Sequence, residues 1–216
     1  MIIVHHLNDS RSQRILWLLE ELGVGYDIKH YTRDVVTRLA PPELKAINPL
    51  GKSPVIEDGD LTIDESGAIV DYLIRRHGGG ALAPAPGTTL HEHYLVWLHF
   101  AEGSAMLPFM LKLYTARLGD AAAPLAPRID EQIASYLKFV DDALADSDWL
   151  IGNTLTGADI MMSFVAEIAV KYGLGSDYPR VLAYAQRIQA RPAWQKALER
   201  GGPYNLTLSA SDAGVA

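Results

Sequence analysis

Asn48-Pro49-Leu50-Gly51-Lys52-Ser53-Pro54-Val55-Ile56 runs into Glu57-Asp58-Gly59-Asp60 and then Leu61-Thr62-Ile63-Asp64-Glu65-Ser66-Gly67-Ala68-Ile69. In order this is a Pro/Gly turn, a basic side chain, a proline-led strand, an acidic turn, a second strand and an acid–hydroxyl pair opening a helix. Asp58-Gly59 between two short apolar runs is a hairpin signal. The stretch offers a cation, extended backbone and a helix N-terminus beside a carboxylate. Those parts suit a small peptide with carboxylates and an amine.

Upstream, Met1 to Val4 is an apolar run of the kind buried in a central strand. A polar loop follows, then a helical pattern with Ile15, Leu18, Leu19 and Leu22 on one face, closed by Gly23. Tyr26 to Tyr31 alternates as a second strand, which makes a βαβ unit with parallel strands. Pro41-Pro42-Glu43-Leu44 opens a short helix that must end before Asn48-Pro49. Pro54 to Glu57 and Leu61 to Asp64 are the hairpin strands, and Ser66 to His77 is helical before Gly78-Gly79-Gly80. The order β-α-β-α-β-β-α is that of a thioredoxin-like domain, with a boundary at residue 81.

Ala81 to Gly87 is a Pro/Ala/Gly linker, after which no strand pattern appears. Helical stretches are expected at His91 to Met106, from Pro108 to Leu118, Arg128 to Ala145, Met161 to Tyr172, Pro179 to Ala190 and Ala193 to Glu199. The fold class is therefore α/β plus all-α: a thioredoxin-like domain over residues 1–81 and an all-helical domain over residues 88–208. The tail from Ser209 is small and polar and reads as mobile.

Bulk properties exclude several classes. The chain has 216 residues, 49% hydrophobic and 21% charged, with formal net charge −7. Nucleic-acid binding needs a clustered cationic face, and no basic run exceeds a pair. Cysteine is absent, so there is no disulfide, thiolate metal site or protein thiol nucleophile. His5-His6 is a poor metal pair, because neighbours on a strand face opposite ways. No apolar run spans a bilayer, and the N-terminus reads as a strand rather than a leader, so the expected location is the cytoplasm.

Four constellations carry chemistry. Lys52, after its turn, can meet a carboxylate as a point charge, or it is a solvated loop lysine. A cis peptide between Ser53 and Pro54 would turn the Val55 main chain toward an extended peptide, although trans is the commoner isomer. Glu65 and Ser66 can take an α-amine and an α-carboxylate at the helix start, where Ser66 also suits a plain cap. The loop Asn8-Asp9-Ser10-Arg11-Ser12-Gln13-Arg14 places hydroxyls at the positive end of the first helix. A free thiol has a pKa of about 8.5, and lowering it by about two units takes roughly 2.7 kcal/mol. One charge-assisted hydrogen bond of about 1.5–3 kcal/mol plus a helix terminus supplies that without a general base. Ser10 leads Ser12 and Asn8 as the donor, and either serine also suits a cap. Thr156 with Asp159 is a capping box, and Met106, Phe109, Met110 and Tyr114 are core at helical spacing, with a face that can border an apolar pocket.

Together, Asn48 to Pro54, Glu65-Ser66, the linker and Thr156…Asp159 resemble the cytosolic glutathione transferases along nearly the whole chain. Asp9 to Trp17 and His99 to Ser104 are most similar to the theta-like bacterial and fungal type. The resemblance implies cis Pro54, with Lys52, Ser53, Pro54 and the Val55 backbone holding the glycine and cysteinyl parts of glutathione, and Glu65 and Ser66 its γ-glutamyl part. It further implies glutathione as co-substrate without a metal, a hydrophobic electrophile bound chiefly by the helical domain, a role in detoxification, and a homodimer with its cleft between domains near the subunit interface. A non-catalytic scaffold, or a glutathione-dependent peroxidase, isomerase or dehalogenase, is the alternative.

Overall fold

The computed structural model describes residues 1–209, so most of the tail expected to be mobile lies outside the described residues. Two compact units emerge: Met1–Ala85 with Ile188–Thr207, and Pro86–Arg187 with Leu208 and Ser209.

In the first unit, β1 (Ile2–Leu7), β2 (Tyr26–Tyr31), β3 (Val55–Asp58) and β4 (Leu61–Asp64) form one sheet in the order β2-β1-β3-β4. β1 and β2 are parallel in the register Ile2↔Tyr26. β3 is antiparallel to both neighbours, with His5↔Val55 on one side and Val55↔Asp64 on the other. The crossovers carry α1 (Ser12–Leu22), α2 (Pro42–Ile47) and α3 (Ser66–His77), which is the thioredoxin-like order the pattern predicts. Gly23 ends α1 in the left-handed region at φ 65°, and its N–H bonds the Glu20 and Leu19 carbonyls.

α1 is buried far beyond one face: Ser12 through Leu19 are all inaccessible. Its second cover is α9 (Pro192–Gly201), which the sequence reading assigns to the helical domain through residue 208. Trp194 lies edge-on to Trp17 at 5.5 Å, and Arg191 grips Glu21 with two guanidinium nitrogens. Glu20 receives Tyr26, Lys196 and Arg200 together. Gly201 closes the contact, since a Cβ there would sit 2.7 Å from Gln13 Oε1. A periodic stripe shows that a helix is buried, not against what, and so the boundary at 81/88 omits this return.

The second unit is helical: α4 (Thr89–Phe100), α5 (Met106–Thr115), α6 (Ala126–Ala143), α7 (Gly157–Lys171) and α8 (Pro179–Gln189). α7 is central, with nearly every side chain from Gly157 to Val170 buried. A break at Pro108 was the sequence expectation. Instead α4 runs through a π-helical turn, Ala101–Ala105, into α5, with Pro108 inside it. Proline lacks an N–H for the carbonyl four residues back, and a wider turn there accommodates the missing bond. No helix among the described residues is long and apolar enough to cross a membrane.

Candidate functional site

The β1–α1 loop leads from a buried strand into a buried helix, so its polar groups must find partners locally. Arg11, not a serine, occupies the N-cap of α1 and makes no side-chain cap bond. Ser10 Oγ accepts the Ser12 N–H at 3.2 Å, a partial cap, and lies 2.8 Å from Ser12 Oγ. Ser12 Oγ in turn lies 2.8 Å from His6 Nδ1 and 3.3 Å from the Leu7 carbonyl oxygen. Burial, with the neighbouring His30, holds His6 well below the ordinary imidazole value, at about 4. His6 Nε2 lies beside Gly201, where an added Cβ would be 3.4 Å from it. A neutral imidazole has one donor and one acceptor nitrogen, and with the proton on Nε2 the Nδ1 atom accepts from Ser12.

In that tautomer the hydroxyl chain has a direction, with Ser12 donating inward to His6 and Ser10 donating to Ser12. The Ser12 hydrogen then has two acceptors, His6 Nδ1 and the Leu7 carbonyl, at a fully buried residue, whereas the Ser10 hydrogen has one neutral partner. Asn8 is spent otherwise: its Oδ1 accepts the Arg33 N–H at 2.8 Å and its Nδ2 donates to Asp9. His5 turns to the opposite side, between Tyr31 and Glu57, as strand alternation requires.

The β2–α2–β3 and β4–α3 connections bring up the other predicted groups. Lys52 is exposed, with no ion pair among the described residues. The Ser53–Pro54 peptide is cis. Ser53 Oγ donates to the His5 carbonyl at 2.8 Å and accepts the Leu7 N–H at 3.4 Å, pinning the turn to β1. Val55 corrects the expectation of an outward-facing main chain, because β1 and β4 flank it on both sides. The open main chain belongs to Ser53, whose own N–H and C=O make no bond among the described residues.

Glu65, not Ser66, is the N-cap of α3. It sits at φ 64°, ψ 118° with its side chain exposed and no cap bond. Ser66 is the first helical residue, and its hydroxyl accepts from Arg14 Nη2 at 3.3 Å. Arg14 itself is only 1% exposed, a buried cation where the sequence suggests a residue of the polar loop entering α1. No group of three or more metal-ligating side chains converges among the described residues.

In the helical unit Met106 and Phe109 are core, while Tyr114 is exposed. Phe109 also walls a cavity of about 290 Å³ with Ile133, Tyr172 and Tyr178, rimmed by the Lys112–Asp130 pair. The capping box closes as expected: Asp159 accepts the Thr156 N–H at 2.8 Å, and adds the Leu150 N–H and Tyr184 hydroxyl at 3.0 Å.

Residues 1–75 match the family model for the glutathione S-transferase N-terminal domain, and residues 102–192 match that for its C-terminal domain. The chain belongs to the glutathione S-transferase family. Glutathione S-transferase 3 of Schizosaccharomyces pombe is 33% identical, the alignment covering 96% of this chain and 91% of that one. Glutathione S-transferase 1 of Saccharomyces cerevisiae is 30% identical over 93% and 95% of the two chains. The crystal structure of a glutathione S-transferase from Actinobacillus pleuropneumoniae superimposes with a TM-score of 0.89 at 36% identity, covering 99% of each chain. These names carry no class designation, so the theta-like likeness rests on the sequence motifs alone.

Proposed function

We propose that this transferase binds glutathione on its first unit and uses Ser10 to hold the sulfur as thiolate for attack on a hydrophobic electrophile. The observation that carries the reading is the hydrogen-bonded chain Ser10–Ser12–His6 at the start of α1. Ser12 cannot turn outward without leaving the buried His6 Nδ1 unpaired, a cost of about 1–3 kcal/mol. Ser10 can turn. It gives up a neutral bond of about 0.5–1.5 kcal/mol for a charge-assisted one of about 1.5–3 kcal/mol. The helix terminus adds roughly 0.3–1 kcal/mol. The net, about 1–2 kcal/mol, lowers the thiol by about one unit rather than two.

His6 is not a base for that proton. An imidazole held near pH 4 cannot retain a proton leaving a thiol, so the proton passes to solvent. The sulfur then forms its bond to carbon as the leaving group departs with its electron pair.

The rest of the tripeptide meets complementary groups. Lys52 suits the glycine carboxylate, and the open Ser53 N–H and C=O beside Pro54 suit the cysteinyl amide. Glu65 suits the α-amine. The Ser66 hydroxyl and the start of α3, with the Arg14 guanidinium alongside, suit the α-carboxylate. Calorimetry with glutathione and conjugation of a generic aryl halide test the proposal. Binding with turnover is expected; no heat of binding would leave a non-catalytic scaffold of the same fold.

A further inference from the structure

The chain beyond α9 lies outside the two segments that match the family models, which end at residue 192. It is nonetheless tightly built. Gly202, at φ 85°, turns it out of the helix. Tyr204 is buried and sits 6.0 Å from the Trp194 ring. Thr207 folds back, its N–H and hydroxyl both donating to the Tyr204 carbonyl at 3.2 and 2.9 Å. Gln189 Nε2 donates to the Leu206 carbonyl at 3.1 Å.

Between these anchors stands Asn205. Its main-chain N–H donates to Asp9 Oδ1 at 2.9 Å and its Nδ2 to Asp9 Oδ2 at 2.8 Å. One donor meets each carboxylate oxygen, across 196 positions of sequence. Asp9 immediately precedes Ser10, and its backbone has φ 50°. A non-glycine residue there costs on the order of 1–3 kcal/mol and persists only where its surroundings over-determine it. They do so here: Arg38 Nη2 reaches Asp9 Oδ2 at 3.4 Å, and Arg33 donates to the Asn8 carbonyl at 3.1 Å and toward the Asp9 carbonyl at 3.5 Å.

We infer that the Asp9–Asn205 pair is a latch by which the C-terminal segment sets the turn that aims the Ser10 hydroxyl, making both residues positioning residues for the thiol chemistry. The inference rests on Ser10 being the sulfur partner. Both hydrogen bonds are solvent-exposed, so their effect on folding is small, and their consequence falls on geometry. The thiolate is sensitive to that geometry, because a hydrogen bond weakens steeply as its angle closes.

The test uses the full chain carrying Asn205→Ala, Asn205→Asp, Asp9→Asn and the double exchange Asp9→Asn/Asn205→Asp. Measured for each are the ultraviolet titration of bound glutathione, kcat and KM with an aryl halide, and the unfolding midpoint. Asn205→Ala should raise the bound thiol pKa by about half a unit, and Asn205→Asp, opposing two carboxylates, by about one unit, a tenfold smaller thiolate fraction. KM for glutathione should stay within about twofold. The double exchange again sets an amide opposite a carboxylate, and should restore the titration although each single change impairs it. A depressed wild-type thiol that none of these variants moves, whatever happens to the unfolding midpoint, overturns the latch alone. A wild-type thiol that titrates as in free solution overturns the Ser10 reading and the latch with it.

Discussion

The starts of α7 and α8 in the helical unit and those of α1 and α3 in the sheet unit solve one problem in opposite ways. In the helical unit the start of α7 is closed by Thr156 and Asp159, and that of α8 by Asp141, which accepts the Arg180 and Val181 N–H groups at 2.8 and 3.2 Å. In the sheet unit the N-caps of α1 and α3 are Arg11 and Glu65, and neither makes a side-chain cap bond. Every helix start exposes donors that need partners. Where the chain supplies a carboxylate itself, the start is architecture. Where the N-cap side chain makes no bond and a hydroxyl stands beside it, as at Ser10 and Ser66, the start suits the anion of the proposed function.

The largest effect should come from opening a closed start. Asp159→Ala strands the Leu150 and Thr156 N–H groups and the Tyr184 hydroxyl, at about 1–3 kcal/mol each where no water replaces the carboxylate. Denaturant unfolding should show a loss of about 3 kcal/mol or more, while the folded fraction keeps its glutathione affinity within about twofold. An equal loss of affinity would erase the distinction between the two kinds of start.

Next in size is a pH effect confined to the sheet unit. His6 is held neutral, at about 4 against an ordinary value of about 6.5. As pH falls from about 6.5 to about 4 the unfolded chain takes up a proton that the native one refuses. Native stability should therefore drop by about 3 kcal/mol across that window, a drop that His6→Asn should flatten. Glu20 continues the trend at lower pH. Burial raises its pKa, but bonds from Lys196, Tyr26 and Arg200 outweigh this and hold it below the usual carboxylate value. Its contribution is present above that value and lost as pH falls through the depressed one, loosening α9 from α1.

A smaller and two-sided effect is expected at the open start of α3. Glu65 occupies a positive-φ conformation that glycine adopts freely. Glu65→Gly should raise unfolding free energy by about 1 kcal/mol or less, since relief of strain is partly offset by a freer unfolded chain. Glutathione binding should weaken by about tenfold, the loss of one charged partner. A variant both less stable and unaltered in affinity would make Glu65 another ordinary cap.

Local patterns were readable, and long-range pairings were not. α3 was expected over Ser66 to His77 and occurs there, because its apolar spacing and the glycines after it are local signals. The Thr156–Asp159 box spans three residues and could be read directly. By contrast, the neighbours of β1 and the β1–α1 loop come from far along the chain: Gly201 beside His6 and Asn205 for Asp9. Nothing in the periodicity of α9 says that it returns to α1. Val55 was misread because proline marks where a strand begins without saying which residue is left at its edge. Arg14 reads as part of the polar loop entering α1, and only its position beside Ser66 shows it to be a buried cation.

The central claim is that one serine faces the sulfur and the other faces His6. It is tested most directly by titrating the bound glutathione thiol in Ser10→Ala and Ser12→Ala. Ser10→Ala should raise the thiol pKa by about one unit. Ser12→Ala removes the acceptor competing for the Ser10 hydrogen, and should leave the thiol pKa unchanged or lower while destabilising the fold. A thiol raised by Ser12→Ala and untouched by Ser10→Ala would contradict the account.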